Sequence, residues 1–210
     1  ISNPREAVML LGTDTIKALV LSVKIFSEFN QKKYAWFDFD HLFYHSLSVS
    51  MLTQTISREE RLDQNLINSS LMAGMFHDLG QLILVTNFPE PYRQILIEAR
   101  ETQQELWNLE NELFATSHAE IGAYLMGLWG LEYPIIEAIA FHHCPAKSLS
   151  KSTGLLTAVH FSDVYDRLIN GRSAENGLSQ LDCGYLESLG VTERINVWQK
   201  ICRDLTEREG

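Results

Sequence analysis

Apolar residues recur along most of the chain at the three- and four-residue spacing of a helix face. Ile16, Leu19, Val20, Val23, Phe26 and Phe29 predict one helix, and a shorter segment, 4–11, precedes it and ends at Gly12. A longer helix is expected over 40–57, with the stripe Leu42, His45, Val49, Leu52 and Ile56. Asp63 is placed to cap a third helix running through Leu71 and Met75 to Phe76. Residues 79–86 are apolar enough for a strand. They follow a helix directly and have no partner strand nearby, so a helical continuation is expected. Pro89 and Pro91 then open a helix over 92–102.

The second half keeps the same period. A short helix is expected over 105–114. Ser117-His118-Ala119-Glu120 is a capping-box sequence, in which the Ser hydroxyl and the Glu carboxylate each satisfy a free backbone N–H. The helix it starts runs to Trp129. Pro134 sits in the first turn of the next helix, which runs to His143 and is stopped by Pro145. Another helix is expected over 155–169, a polar loop over 171–180, and a terminal helix after Thr192 with Ile195, Trp198, Cys202 and Leu205 on one face. No pair of runs reads as a hairpin, so the fold class is all-α. The 210 residues are read as a single domain over 1–210, with the loop and helix of 171–210 packing on the core. The chain begins inside an apolar passage (Ile1, Ala7, Val8, Leu10, Leu11) without Met, which suggests a fragment lacking an N-terminal helical portion. Val8, Leu11, Leu19 and Phe26 would then face the missing part, and a homodimer could cover them instead.

Composition excludes partners more readily than it suggests them. Lys and Arg total 17 against 27 acids, for a net charge of -10. Sequence-independent nucleic-acid binding needs the opposite balance. Docking on an anionic membrane is likewise disfavoured. Residues 121–141 carry only Glu132 and Glu137 as charges, but Gly130 and Pro134 break them into two short buried helices rather than one span of roughly 20 residues. Three widely spaced cysteines, Cys144, Cys183 and Cys202, form neither a disulfide framework nor a CxxC pair. A reducing, cytoplasmic setting is the expectation.

Any reaction must come from the seven histidines, at 41, 45, 77, 118, 142, 143 and 160. The adjacent pairs His77-Asp78 and His142-His143 mean little singly in so His-rich a chain. Jointly they matter more, because His45, His77, His118 and His142 fall in apolar helical contexts where an imidazole needs a partner. Imidazole and carboxylate donors projecting inward from several helices suit Zn, Fe, Mn or Ni. The candidate donors are His45, His77, Asp78, His118, His142, His143 and Asp163, with Asp78 able to bridge two ions. Hydrogen-bonded histidines without any metal fit the same residue types. The four tryptophans, Trp36, Trp107, Trp129 and Trp198, read as core or groove fillers, and Trp129 as part of a buried helix end. Cys144 reads as a small buried side chain. The acids Glu98, Glu101, Glu105, Glu110 and Glu112 read as a solvated face.

Five segments carry a family resemblance. MAGMFHDLGQL (72–82) resembles the histidine–aspartate motif of the HD phosphohydrolase superfamily. With FYHS (43–46), SHAEIGAYLMGLW (117–129), AIAFHHCP (138–145) and SNPREAVMLLGTDTIKALVL (2–21), the chain resembles the HDOD domain, a helical relative of the HD and HD-GYP domains. The resemblance covers most of residues 1 to 170 and implies a compact bundle of the HD-domain type. Matched motif by motif, it places the lone His on His45, the HD pair on His77 and Asp78, and the later His on His118. The HH pair falls on His142 and His143, and the final Asp on Asp163, with Asp166 a near alternative. It thereby implies one or two divalent transition-metal ions.

Two departures bear on activity. HD-GYP enzymes carry a lysine where this chain has Gln81, and the Gly-Tyr-Pro element that follows their HH pair is missing after His143. The resemblance therefore implies a regulatory signal-transduction domain that contacts other signalling proteins more strongly than it implies hydrolysis. A metal-dependent phosphohydrolase or phosphodiesterase is the alternative, and cyclic-di-GMP is expected to be a poor substrate in either case.

Overall fold

The computed structural model describes residues 16, 20, 21, 23–25, 33–170 and 180–209. Within them the elements are helical and no strand occurs. Each helix starts where the local chemistry places it. Asp38 accepts a hydrogen bond from the His41 N–H and caps α1 (Phe39–Glu59). Asp63 does the same for Asn65 ahead of α2 (Gln64–Phe76). The apolar run after His77-Asp78 is helical, as expected, and forms α3 (Gly80–Asn87). Prolines in the first turn begin α4 (Pro89–Thr102), and α5 (Leu106–Phe114) follows a left-handed Gln103. The capping box at Ser117 is formed in full, with Glu120 reaching back to the Ser117 N–H, and it opens α6 (His118–Leu128). Then come α7 (Tyr133–Phe141), a 3₁₀ turn at Pro145–Lys147, α8 (Leu155–Ile169), α9 (Cys183–Ser188) and α10 (Arg194–Glu209).

Two apolar clusters hold these elements. The larger joins Leu42 of α1, Phe76 of α2, Leu82 and Val85 of α3, Tyr92 of α4, Met126 of α6, Ile139 of α7 and Val159 of α8. The smaller joins the far halves of α1 (Leu52, Ile56) and α8 (Phe161, Val164, Tyr165) to Leu186, Trp198 and Cys202. Hence the C-terminal helices pack on α1 and α8, and Trp198 Nε1 donates to Glu60 at 2.7 Å. The stripe Leu42, His45, Val49, Leu52 and Ile56 is buried throughout, so α1 touches both clusters.

Some expectations need correction. The short helix α9 has too few residues to show a period and was not foreseen. Trp129 is 46% exposed rather than buried, because it lies past the end of α6 where the chain turns at left-handed Gly130. Among residues 16 to 25, the described ones are helical, but Leu21 and Ile25 meet the core while Val20 and Val23 are exposed. Segment 4–11, the residues Val8, Leu11, Leu19, Phe26 and Phe29, and all of 171–180 except Gln180 lie outside the described residues.

Candidate metal centre

The seven predicted donors meet at one place. His45 comes from the middle of α1, His77 caps the C-terminal end of α2, and Asp78 follows in the turn to α3. His118 is the first residue of α6, His142 and His143 follow α7, and Asp163 lies on α8. Backbone proximity makes the meeting possible. A Cβ on Gly80 would lie 1.9 Å from the His118 carbonyl oxygen, so only glycine lets α3 lie against the start of α6. That contact brings Asp78 Oδ1 to 3.0 Å from His118 Nε2.

Four imidazoles are oriented from behind. The Nδ1 of His77 donates to the Gly74 carbonyl at 2.7 Å, and that of His142 to the Ile139 carbonyl at 2.7 Å. The Nδ1 of His45 meets Asp166 Oδ2 at 2.7 Å, and that of His118 meets Glu110 Oε2 at 2.6 Å. With Nδ1 engaged, each ring presents Nε2 to the common centre. There the nitrogens crowd: His45 Nε2 is 3.2 Å from His77 Nε2, and His118 Nε2 is 2.9 Å from His143 Nε2. Two lone pairs at that separation repel unless a proton or a metal ion lies between them. His142 Nε2 and Asp163 Oδ2 are buried there without a hydrogen-bond partner among the described residues.

Asp78 divides the centre in two. Its Oδ2 faces His45 and His77 at 3.7 and 3.6 Å, and its Oδ1 faces His118 and His142 at 3.0 and 3.6 Å. Asp78, His118, His142 and His143 have donor atoms close enough to share an ion, as do His45, His77 and Asp78, and also His77, His142 and Asp163. The buried His/Asp cluster can therefore hold metal. Cys144 belongs to none of these groups.

Charge follows the same geometry. Burial disfavours the cation of His45, but Asp163 and Asp166 outweigh it and raise its pKa to about 9. For His118 burial is likewise outweighed, by Glu110 and Asp78, and the pKa is about 10. Burial dominates at His142, lowering it to about 4, and at His143, where neighbouring cations add to the effect. Burial opposes the charge of Asp78, yet His77 and His118 hold its carboxyl well below the usual range.

Two residues missed in the sequence complete the site. Glu110, read as part of a solvated acidic face, is fully buried and accepts from Tyr92 Oη and from both the backbone and the ring of His118. Arg167 sits one turn after Asp163, with Nε 2.9 Å from Asp163 Oδ1. Asp163 and Asp166 share a face of α8, which is why the sequence left them as alternatives. Asp163 reaches the centre, and Asp166 stands behind His45. A cavity of about 500 Å³ opens over the cluster. Trp36, Phe37, Arg100, Trp107, Arg167 and Gln180 are among the residues that line it with His45, Asp78, His118 and His143. Trp107 stacks on His143 with ring centroids 5.9 Å apart, so this tryptophan fills a groove as expected.

The HDOD domain family model matches residues 1–145. An uncharacterized protein of Treponema pallidum (strain Nichols) is 29% identical over 177 residues, spanning 80% of this chain and 32% of that protein. This chain thus covers about a third of that relative's length. The structure of an HDOD domain protein of unknown function from Geobacter sulfurreducens superposes with a TM-score of 0.74 at 23% identity, covering 99% of this chain and 71% of that one. A protein of Shewanella amazonensis SB2B named as a candidate phosphohydrolase superposes with a TM-score of 0.75 at 18% identity, covering 98% of this chain and 73% of that one. With the motif order of the sequence, the all-helical architecture and a family match over more than half its length, this chain belongs to the HDOD family.

Proposed function

We propose that this HDOD chain is a metal-dependent phosphohydrolase domain, working within a signalling protein, that acts on phosphate esters at the open face of its His/Asp cluster. The observation that carries this reading is Asp78, whose two carboxylate oxygens face separate sets of imidazole nitrogens at the floor of an open cavity. A purely structural histidine network has no need of solvent access or of an unpartnered His142 Nε2 beside an unpartnered Asp163 Oδ2. His45, His77, Asp78 and Asp163 would hold one ion, and Asp78, His118, His142 and His143 a second. The nitrogen and oxygen donors suit Fe, Mn, Zn or Ni. When bound, such ions supply Lewis-acid polarisation of a phosphate ester and acidification of a water nucleophile. The residues themselves fix the donor geometry from behind, through Asp166, Glu110 and two backbone carbonyls.

Gln81 donates its amide to Asp78 Oδ2 at 2.8 Å and brings no charge to the cavity, which supports the expectation that cyclic-di-GMP is a poor substrate. A second reading, regulation through contacts with other signalling proteins, is favoured by Tyr124, Leu128, Trp129 and Tyr133, which are exposed around the end of α6 and the start of α7. Metal analysis of the purified chain, joined to hydrolysis of p-nitrophenyl phosphate and bis(p-nitrophenyl) phosphate, separates the two. Up to two ions per chain and a turnover that Asp78→Asn reduces to background are expected. A chain that takes up no Mn, Fe, Zn or Ni, or whose turnover survives Asp78→Asn, would leave only the regulatory reading.

A further inference from the structure

We infer that Arg167 is the phosphate-recognition residue of this chain, held by Asp163 through one edge of its guanidinium and offering the other edge to the cavity. This rests on the phosphohydrolase reading and adds the group that would select the substrate. The geometry is specific. Arg167 lies on α8 four residues beyond Asp163, and its Nε is 2.9 Å from Asp163 Oδ1. Glu105 lies 3.9 Å from a terminal nitrogen, beyond hydrogen-bond length, and Asp78 attracts the charge from farther off. The side chain is 21% exposed, and it lines the cavity that His45, Asp78, His118 and His143 also line.

Charge makes the placement informative. The chain carries a net -10, yet two arginines, Arg167 and the exposed Arg100, border this one cavity. A cation kept only to neutralise Asp163 could be buried completely. This one stays partly exposed and lines the space where a ligand would enter. A guanidinium edge matches two oxygens of a phosphoryl group in a way an ammonium does not. The positive charge that Gln81 does not provide is thus provided from α8, in the lining of the same cavity.

Asp163 also links the two functions. Its Oδ1 lies 3.1 Å from His45 Nε2 and 3.5 Å from His77 Nε2 as well as against Arg167. With the cluster empty, Asp163 offsets the charge of Arg167. Once Asp163 is engaged by the cluster's own cations, more of that charge is free for an anion. Phosphate affinity should therefore rise with metal loading, through Arg167.

The test is calorimetric titration of inorganic phosphate into Mn-loaded and EDTA-treated protein, with metal content and melting temperature measured on every variant. Wild type is expected to bind phosphate more tightly when loaded. Arg167→Gln should weaken that binding about tenfold or more, the scale of a charged hydrogen bond, and Arg167→Lys should weaken it less. Should Arg167→Gln fold poorly, Glu105→Gln is the independent variant. It removes the competing carboxylate and should tighten phosphate by a few-fold. Equal phosphate affinity in wild type and Arg167→Gln at equal metal content, or no change on Glu105→Gln, would overturn the inference. So would loaded wild type that ignores phosphate, although the metal reading would survive. Phosphate bound through Arg167 by a chain that takes up no metal would keep Arg167 in this role and sink the phosphohydrolase reading.

Discussion

The two sides of Asp78 are built from different materials. On one side stand His45, His77 and Asp163, backed by Asp166 and flanked by Arg167, so the donors mix nitrogen and oxygen and the surroundings are strongly charged. On the other stand His118, His142 and His143, all nitrogen donors, with Glu110 hidden behind His118, Asp163 Oδ2 3.8 Å from His143 Nδ1, and Trp107 stacked over the outermost ring. His45 and Asp163 come from within the long helices α1 and α8 and His77 from the end of α2, whereas the second set comes from the start of α6 and the end of α7. A mixed set tolerates harder ions, whereas an all-imidazole set favours Fe, Ni or Zn. On the two-ion reading proposed above, sites sharing Asp78 would differ in the ion each prefers and in how readily it leaves. What the sides have in common is one carboxylate-anchored imidazole each, His45 and His118, and that common feature sets the response to pH.

In the metal-free protein both anchored imidazoles carry a proton across the neutral range, since their pKa values are about 9 and 10 against 6.5 in an unfolded chain. A raised pKa contributes stability that is complete below pH 6.5 and is lost as pH rises through 9 to 10. His142 runs the other way. Its pKa of about 4 makes its contribution complete above pH 6.5 and lost as pH falls through 4. The metal-free chain should therefore be most stable near pH 6.5 and should lose stability between pH 7 and 9 with a slope approaching about 1.4 kcal/mol per pH unit for each anchored histidine. Metal competes with those protons, so the loaded chain should lose much less over the same range. Denaturant melts of EDTA-treated and Mn-loaded protein at pH 6.5, 8 and 9 check this, and parallel pH profiles for the two forms would show that the protons and the ions do not share a place.

The sides also differ in how closely their helices approach. A Cβ on Gly74 would lie 2.5 Å from the Ser50 Cα, where α2 crosses α1, and one on Gly80 would lie 1.9 Å from the His118 oxygen, where α3 meets α6. Both obstacles are backbone, which no rotamer change relieves. Gly80→Ala must push α3 off α6 and separate Asp78 from His118. A loss of about 3 kcal/mol or more is expected, the upper end for overpacking, together with loss of metal from the all-nitrogen side first. Gly74→Ala should be milder. Thermal melts and metal content of the two variants rank them, and a Gly80→Ala chain that keeps both its stability and its full metal complement would show that this contact does not set the site.

Helices and the seven candidate donors were legible because a helical period and a few motif residues are local signals. Capping by Asp38, Asp63 and Ser117 is equally local. Glu110 and Arg167 escaped for a shared physical reason. Glu110 sits in an acidic run whose other members have no visible reason to be inside, and only the approach of α5 to the start of α6 buries it. Arg167 follows Asp163 at the spacing of an ordinary surface ion pair, and only the cavity wall gives it a role. Trp129 failed in the opposite direction, since an apolar residue near a helix end is buried only if the following turn folds over it. Asp163 and Asp166 could not be ranked because three residues apart on a helix is one face, and which of them reaches the centre depends on where His45 stands.

That last ambiguity leads to the finest distinction between the sides. Asp166 and Glu110 play the same part behind His45 and His118, but Glu110 is enclosed and bound three times, by Tyr92 and twice by His118, whereas Asp166 also accepts from Asn170. A neutral amide at either position keeps the shape and removes the charge that makes the imidazole a stronger donor. Glu110→Gln should therefore weaken metal binding on the all-nitrogen side by about 10- to 100-fold, the usual cost of losing such a backing carboxylate. Asp166→Asn should cost the mixed side less, because Asp163 and Asp78 still supply negative charge there. Competition with a chelator, read ion by ion for both variants, measures the two losses. The comparison predicts that Glu110→Gln leaves one ion tightly held and loosens the other, and an equal loosening of both ions by Glu110→Gln would mean that the two sides do not bind independently across Asp78.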